Sequence, residues 1–197
     1  MASIHFKVIA LTILVFNTTL GSAQFTIYGG ISNIYSRDAL VTPKGQSHTG
    51  YVTGLNIRML DDGLCFLFTG EYGTMNLLAS EKQDYFKKPE LTYLKGKVGL
   101  GLDLFKISKK LKVRTKFQGS ILYINSYDEK KVGAGPALKE SGYSELNEAI
   151  GGLNTGLGLT FGILDFDFEY EYGFYNIYYA RHRSVLNFYN FTAGLRF

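Results

Sequence analysis

From residue 24 onward the chain alternates apolar and polar residues with a period of two. In Leu111–Ile124, Leu111, Val113, Phe117, Ile121 and Tyr123 fall on one face, opposite Lys112, Arg114, Lys116, Gln118 and Ser120. In Leu164–Tyr175 the aromatic set Phe166, Phe168, Tyr170, Tyr172 and Phe174 opposes Asp165, Asp167, Glu169 and Glu171. In Tyr93–Leu104, Leu94, Val98, Leu100, Leu102 and Leu104 oppose Lys95, Lys97, Gly99, Gly101 and Asp103. A helix would scatter these sets around its axis, whereas residues two apart share a face of a strand. Phe25–Tyr35, Tyr51–Leu60, Leu64–Tyr72, Glu148–Phe161 and Val185–Phe197 complete eight predicted strands. Leu64–Tyr72 is the weakest of these, being apolar on both faces where it starts.

The connections alternate in length. Leu60-Asp61-Asp62-Gly63-Leu64 carries Asp-Gly, a favoured hairpin pair, and Ile107–Lys110 and Gly162-Ile163 are also short. Between them lie the long polar stretches Ser36–Gly50, Gly73–Pro89, Asn125–Asn147 and Asn176–Ser184. This interleaving puts the long loops at one end and the short turns at the other, the asymmetry of a transmembrane barrel. The fold predicted is all-β, an eight-stranded antiparallel up-and-down transmembrane β-barrel.

Glycine placement indicates which face looks inward. Gly99 and Gly101 share a face with Lys95 and Lys97, and Gly152, Gly156 and Gly158 share one with Asn154 and Thr160. A face both charged and glycine-rich suits a crowded interior, where glycine leaves room for neighbouring side chains. Pairing Leu104 with Leu111 sets Lys112 beside Asp103, Arg114 beside Gly101 and Lys116 beside Gly99. Pairing Phe161 with Phe166 sets Glu169 beside Gly158 and Glu171 beside Gly156. The expected lumen network therefore joins Lys112, Arg114 and Lys116 to Asp103, Asp167, Glu169 and Glu171, with Arg58 and Arg196 near the short-turn end. Buried charges require partners, and this set nearly balances. An eight-stranded interior is just wide enough for its own side chains, so a filled polar core is expected, not an open pore.

Met1 to Ala23 reads as a secretory signal peptide, leaving 24–197 as the barrel domain. Lys7 gives the positive region, Val8–Phe16 the apolar one, and Gly21-Ser22-Ala23 the small residues of a cleavage site. Fifteen Tyr, 15 Phe and 23 Gly against 3 Pro suit long strands with aromatic outer faces. Cys65 stands alone, which rules out an internal disulfide and a cysteine-based metal site. The formal charge of +4 falls to +3 without Lys7, and the basic residues form no block, so no nucleic-acid footprint is present.

Tyr189, Phe191, Ala193, Leu195 and Phe197 alternate with Asn190, Thr192, Gly194 and Arg196. A last Phe with apolar residues at every second position before it resembles the signal that the barrel-assembly machinery reads; Tyr189, Phe191, Leu195 and Phe197 carry it. The stretch Leu153–Phe197 resembles the outer-membrane β-barrel domain proteins of Bacteroidetes (porin-like, PorT-like). They similarly carry a glycine-rich hairpin strand, here Gly156-Leu157-Gly158-Leu159, and an acidic-aromatic strand, here Phe168–Gly173. In recognisable residues the likeness covers the last quarter of the chain. It implies fold and location in the cell outer membrane, and little about activity.

His182-Arg183-Ser184 is similar to the His-x-Ser of lipid A deacylases, in which a carboxylate orients the His and the His activates the Ser. No Asp or Glu follows Ser184, so the acid of that pattern is missing and a solvated loop is the expected reading. A palmitoyltransferase-like site would need a loop His with Asp and Ser partners, for which His48 is the other candidate. His48 and His182 lie on separate predicted loops, giving no metal-ligand spacing. Gly156-x-Gly158 lies inside a strand pattern and is no dinucleotide loop. The loop Asn125–Asn147 mixes Lys130, Lys131, Lys139, Asp128, Glu129, Glu140 and Glu145, and names no ligand.

The expected role is structural or interactive at the cell surface: membrane integrity, adhesion or docking of an envelope partner through the long loops. The expectation includes a monomer, no cofactor, no enzymatic activity, and contact with outer-membrane lipid and lipopolysaccharide. Two other readings stay open at this point: a lipid A-modifying hydrolase using His182 and Ser184, and a soluble exported barrel with its aromatic faces turned inward around an apolar ligand.

Overall fold

A computed structural model of the chain describes residues 23–38, 48–59, 63–75, 91–108, 110–127, 146–179 and 183–197. The predicted signal peptide, apart from Ala23, lies outside these residues, as do most of the long loops. Eight strands form in chain order: β1 (Gln24–Ser36), β2 (His48–Met59), β3 (Leu64–Met75), β4 (Leu91–Lys106), β5 (Leu111–Tyr127), β6 (Ala149–Phe161), β7 (Leu164–Asn176) and β8 (Val185–Arg196). Each pairs antiparallel with its neighbours, and β1 pairs with β8, closing the barrel. Phe25 and Phe197 exchange backbone hydrogen bonds of 3.1 and 2.8 Å at this seam. Closure leaves no edge with unpaired backbone groups, the condition for strands to cross a bilayer.

The alternation settles the faces. Ile27, Leu55, Phe68, Val98, Phe117, Ile121, Leu157, Phe166 and Phe191 are exposed on the outside, and Lys97, Gln118, Asn154 and Glu169 are buried inside. The strands are 12 to 17 residues long, more than the roughly 10 needed to cross the apolar slab at a tilt near 45°. The soluble-carrier arrangement, which needs the aromatic faces inward, is not the one adopted. The doubtful strand β3 is apolar on both faces at its start because Cys65 and Leu67 point into the lumen, where both are buried.

Register differs from expectation at two hairpins, by two residues each time. Strand β4 runs on to Lys106 with an irregularity between Asp103 and Phe105, so Arg114 faces Asp103, Lys116 faces Gly101 and Gln118 faces Gly99. Gly162, at φ +62°, permits a turn so tight that Phe161 pairs with Leu164, leaving Glu169 beside Gly156, Glu171 beside Asn154 and Asp167 beside Gly158. A two-residue slip keeps every side chain on its face, which is why the inward and outward sets survive.

Candidate functional site: the charged lumen

Strand β5 presents Lys112, Arg114 and Lys116 to the lumen; β7 presents Asp165, Asp167, Glu169 and Glu171; β6 lies between them. The β6 positions facing Arg114 and Asp167, and Lys116 and Glu169, are Gly158 and Gly156. A Cβ on Gly156 would stand 3.0 Å from Glu169 Cγ and 3.2 Å from Lys116 Cε, and one on Gly158 would collide with Asp167 and Arg114. The glycines are therefore the gap through which β5 and β7 reach each other over an intervening strand. Lys116 pairs with Glu169 and lies 3.4 Å from Asp167; Arg114 lies 3.4 Å from Asp167 and 3.3 Å from Asp165.

Further cations come from β4. Lys97 donates to Glu71 Oε1 at 2.5 Å and to Glu169 Oε2 at 2.7 Å, linking β3 to β7 across the lumen. Lys95 donates to Glu171 Oε2 at 2.8 Å. Neutral groups complete the shell. Tyr28 of β1 donates to Glu71 at 2.7 Å, Asn154 to Glu169 at 2.8 Å, Ser120 to Glu171 at 3.0 Å, and Thr160 to Asp165 at 2.6 Å. Lys112 bridges Asp103 at 3.3 Å, a pair set apart toward the short-turn end.

Of the residues expected in the lumen, Arg114 and Lys116 meet Asp167 and Glu169, Lys112 meets Asp103, and Glu171 meets a different cation. Glu171 pairs with Lys95, not with the β5 cations. Glu71 and Asp165 enter, as do Lys95 and Lys97, for which the alternation gives the face but no partner. Two predicted members stay out. Arg196 donates to Gln24 Oε1 at 3.3 Å and to the Gly162 carbonyl at 2.8 Å, holding the β6–β7 turn against the seam. Arg58 is buried in the lumen, but no carboxylate among the described residues pairs with it. Counting Arg58, Lys95, Lys97, Lys112, Arg114 and Lys116 against Glu71, Asp103, Asp165, Asp167, Glu169 and Glu171 gives six cations and six carboxylates.

The filled polar core expected from the sequence is polar only toward the short turns. Toward the long loops the lumen turns apolar: Ile34, Met75, Leu91, Tyr93, Leu122, Ile124, Ile150, Leu186 and Phe188 form one buried cluster. Ile177 and Tyr178, beyond the end of β7, fold over it and are fully buried, held by the Leu146–Tyr178 bridge and the Asn147 N–H to Ile177 carbonyl bond of 2.7 Å. The same parity that carries Lys112 to Ser120 on β5 carries Leu122 and Ile124 above them, so one strand face serves both halves. At the boundary the Lys95 ammonium sits 3.8 Å from the Phe188 ring centroid, an aromatic contact that suits a desolvated cation.

Of the three residues weighed for catalysis, two sit differently from expectation and the third is not described. His182 lies outside the described residues. Ser184 is not solvated: it is buried, and its Oγ accepts the Tyr178 N–H at 3.2 Å, so it helps fix the apolar cap. His48, expected on a loop, opens β2 opposite Ile34 and is buried. Of the terminal aromatic series, Tyr189, Phe191, Leu195 and Phe197 all face outward and are exposed.

No family model matches the chain, and no curated protein does. Solved structures do match in fold. Neisserial surface protein A (NspA) aligns over 88% of this chain and 95% of its own, at 13% identity and a TM-score of 0.51. The outer membrane enzyme PagL aligns over 87% and 98%, at 10% identity and 0.54. The outer membrane protein OprG from Pseudomonas aeruginosa aligns over 89% and 96%, at 14% identity and 0.50. At these identities the likeness establishes the fold: a closed eight-stranded antiparallel barrel of the outer-membrane type.

Proposed function

We propose that this chain is an outer-membrane barrel with a structural or surface-interaction role, its lumen filled and its long loops offered to an envelope partner. The observation that carries the reading is the continuous filling of the interior, ion-paired below and apolar above, inside a wall whose exposed face is Phe, Tyr, Leu and Ile. Among the described residues such an interior argues against an aqueous path, and such an exterior suits lipid. The role is non-catalytic on this reading. Insertion through the barrel-assembly machinery, guided by Tyr189, Phe191, Leu195 and Phe197, and contact with lipopolysaccharide at the loop end belong to the same proposal. So does membership of the Bacteroidetes porin-like or PorT-like group, supported by the residue likeness in Leu153–Phe197.

The test is electrophoretic mobility in SDS, unheated against boiled, followed by planar-bilayer recording on the same preparation. A heat-dependent shift without steady conductance is expected. Recovery as a soluble periplasmic protein without detergent would overturn the membrane assignment, and a large steady conductance would overturn the filled lumen.

A further inference from the structure

The short-turn end of the barrel is lopsided in its chemistry. Over β2–β3 the turn sequence is acidic, Asp61-Asp62. Over β4–β5 it reads Lys106-Ile107-Ser108-Lys109-Lys110, and over β6–β7 Gly162-Ile163, with no acidic residue in either. Turn tips ordinarily carry polar residues, yet Ile107 is 66% exposed and Ile163 65%, with Phe105 at 66% beside them. The Lys106 side chain is 57% exposed and only 4.0 Å from Asp103, whose closer partner is Lys112. Lys110 is exposed as well.

These groups are held as one platform. Ser108 Oγ accepts the backbone N–H groups of Lys110 and Leu111 at 3.3 and 3.1 Å, folding the first turn. The Gly162 N–H donates to the Lys110 carbonyl at 2.8 Å, tying the second turn to the first, and the Arg196 N–H donates to the Ile163 carbonyl at 2.8 Å.

We propose that this platform binds the phosphate headgroups of anionic phospholipid in the leaflet at the short-turn end, Lys106 and Lys110 taking the phosphate while Phe105, Ile107 and Ile163 sink among the chains. The inference rests on the membrane reading above. Lipid is the occupant because the exposed Phe105 and Phe161 continue the outward apolar belt directly into the turns, where Lys110 is exposed and the Lys106 side chain, opposite Lys112 at the rim of the lumen face, is 57% exposed. Exposed lysines at the rim of such a belt can lay an apolar stem along it and reach the headgroup level with the ammonium. A soluble acidic protein would match the lysines but would have to enter the bilayer to cover Phe105 and Phe161.

The experiment uses the folded full-length barrel in mild detergent, its fold checked by the heat-dependent shift, with bound lipid counted by native mass spectrometry as phosphatidylglycerol or phosphatidylcholine is added. Retention of phosphatidylglycerol should exceed that of phosphatidylcholine on the order of tenfold, two lysines each acting at the membrane surface. Lys106→Gln with Lys110→Gln should remove the preference, and Arg37→Gln, exposed at the opposite end, should leave it intact. In the unaltered protein the preference should fade at about 0.5 M salt, which needs no variant to fold. Equal retention of the two lipids, or a preference that survives the double substitution, overturns the proposal. So does capture of a polyglutamate peptide by the same lysines without any lipid preference. Absence of the heat-dependent shift would instead strike at the membrane reading itself.

Discussion

The two halves of the lumen solve the same packing problem with opposite chemistry. Toward the short turns, Lys97, Arg114 and Lys116 meet Glu71, Asp165, Asp167 and Glu169 over a glycine gap. Toward the long loops, Tyr93, Leu122, Ile150, Leu186 and Phe188 fill the space by shape alone. In the apolar half each side chain contributes through contact area, and its loss is local. In the charged half each group is buried at a desolvation cost offset only by its partners, so removing one leaves the others stranded. The charged half should therefore be the more brittle to single substitutions, although it need not contribute more net stability.

That contrast can be broken at graded strength. Glu169 accepts from Lys97, Lys116 and Asn154, so Glu169→Ala takes a shared carboxylate from two buried cations and leaves Lys97 with Glu71 and Lys116 with Asp167. The expected loss is about 3–5 kcal/mol in urea unfolding from lipid vesicles. A loss under about 1 kcal/mol would mean that water reaches the network. Leu122→Ala in the apolar cap should cost about 2–3 kcal/mol by leaving a cavity, with the heat-dependent mobility shift retained; a loss matching that of Glu169→Ala would erase the distinction between the halves. The smallest effect separates two kinds of glycine. Gly158→Ala places a methyl against Arg114 and Asp167 and should cost roughly 1–2 kcal/mol. Gly70→Ala on the outer wall meets nothing within 4 Å, so it should be neutral or stabilising by up to about 1 kcal/mol. Equal costs at the two positions would show that the β6 gap is not what admits the ion pairs.

Much of this architecture is legible in the sequence because a strand writes its two faces at alternate positions. The alternation in Leu111–Ile124 and Leu164–Tyr175 identifies β5 and β7, their inward charges, and the glycines that separate them. Register is less legible: a tight turn at Gly162 and an irregularity after Asp103 each move the pairing by two residues without changing any face. Glu71 is hidden because it is the only carboxylate within β3, and its partner Lys97 comes from the adjacent strand with a second carboxylate three strands away. The apolar cap is hidden for a different reason. Leu122 and Ile124 share parity with Lys112 to Ser120, so apolar residues appear on both faces and the alternation loses contrast there. The burial of Ser184 depends on how the segment after β7 folds over the lumen, and no periodicity encodes that.

The seam between β1 and β8 has a consequence for how the protein comes to be. Its hydrogen-bonded partners, Thr26 with Arg196 through Ser36 with Leu186, are separated by nearly the whole barrel sequence. Pairings this distant carry the largest loop-closure entropy and form late. Until β8 arrives, β1 offers one row of open backbone groups and the growing sheet another, a state that aggregates in water and is penalised in hydrocarbon. Closure and insertion are then expected to proceed together, with the kinetics of that last pairing setting how long the chain remains vulnerable.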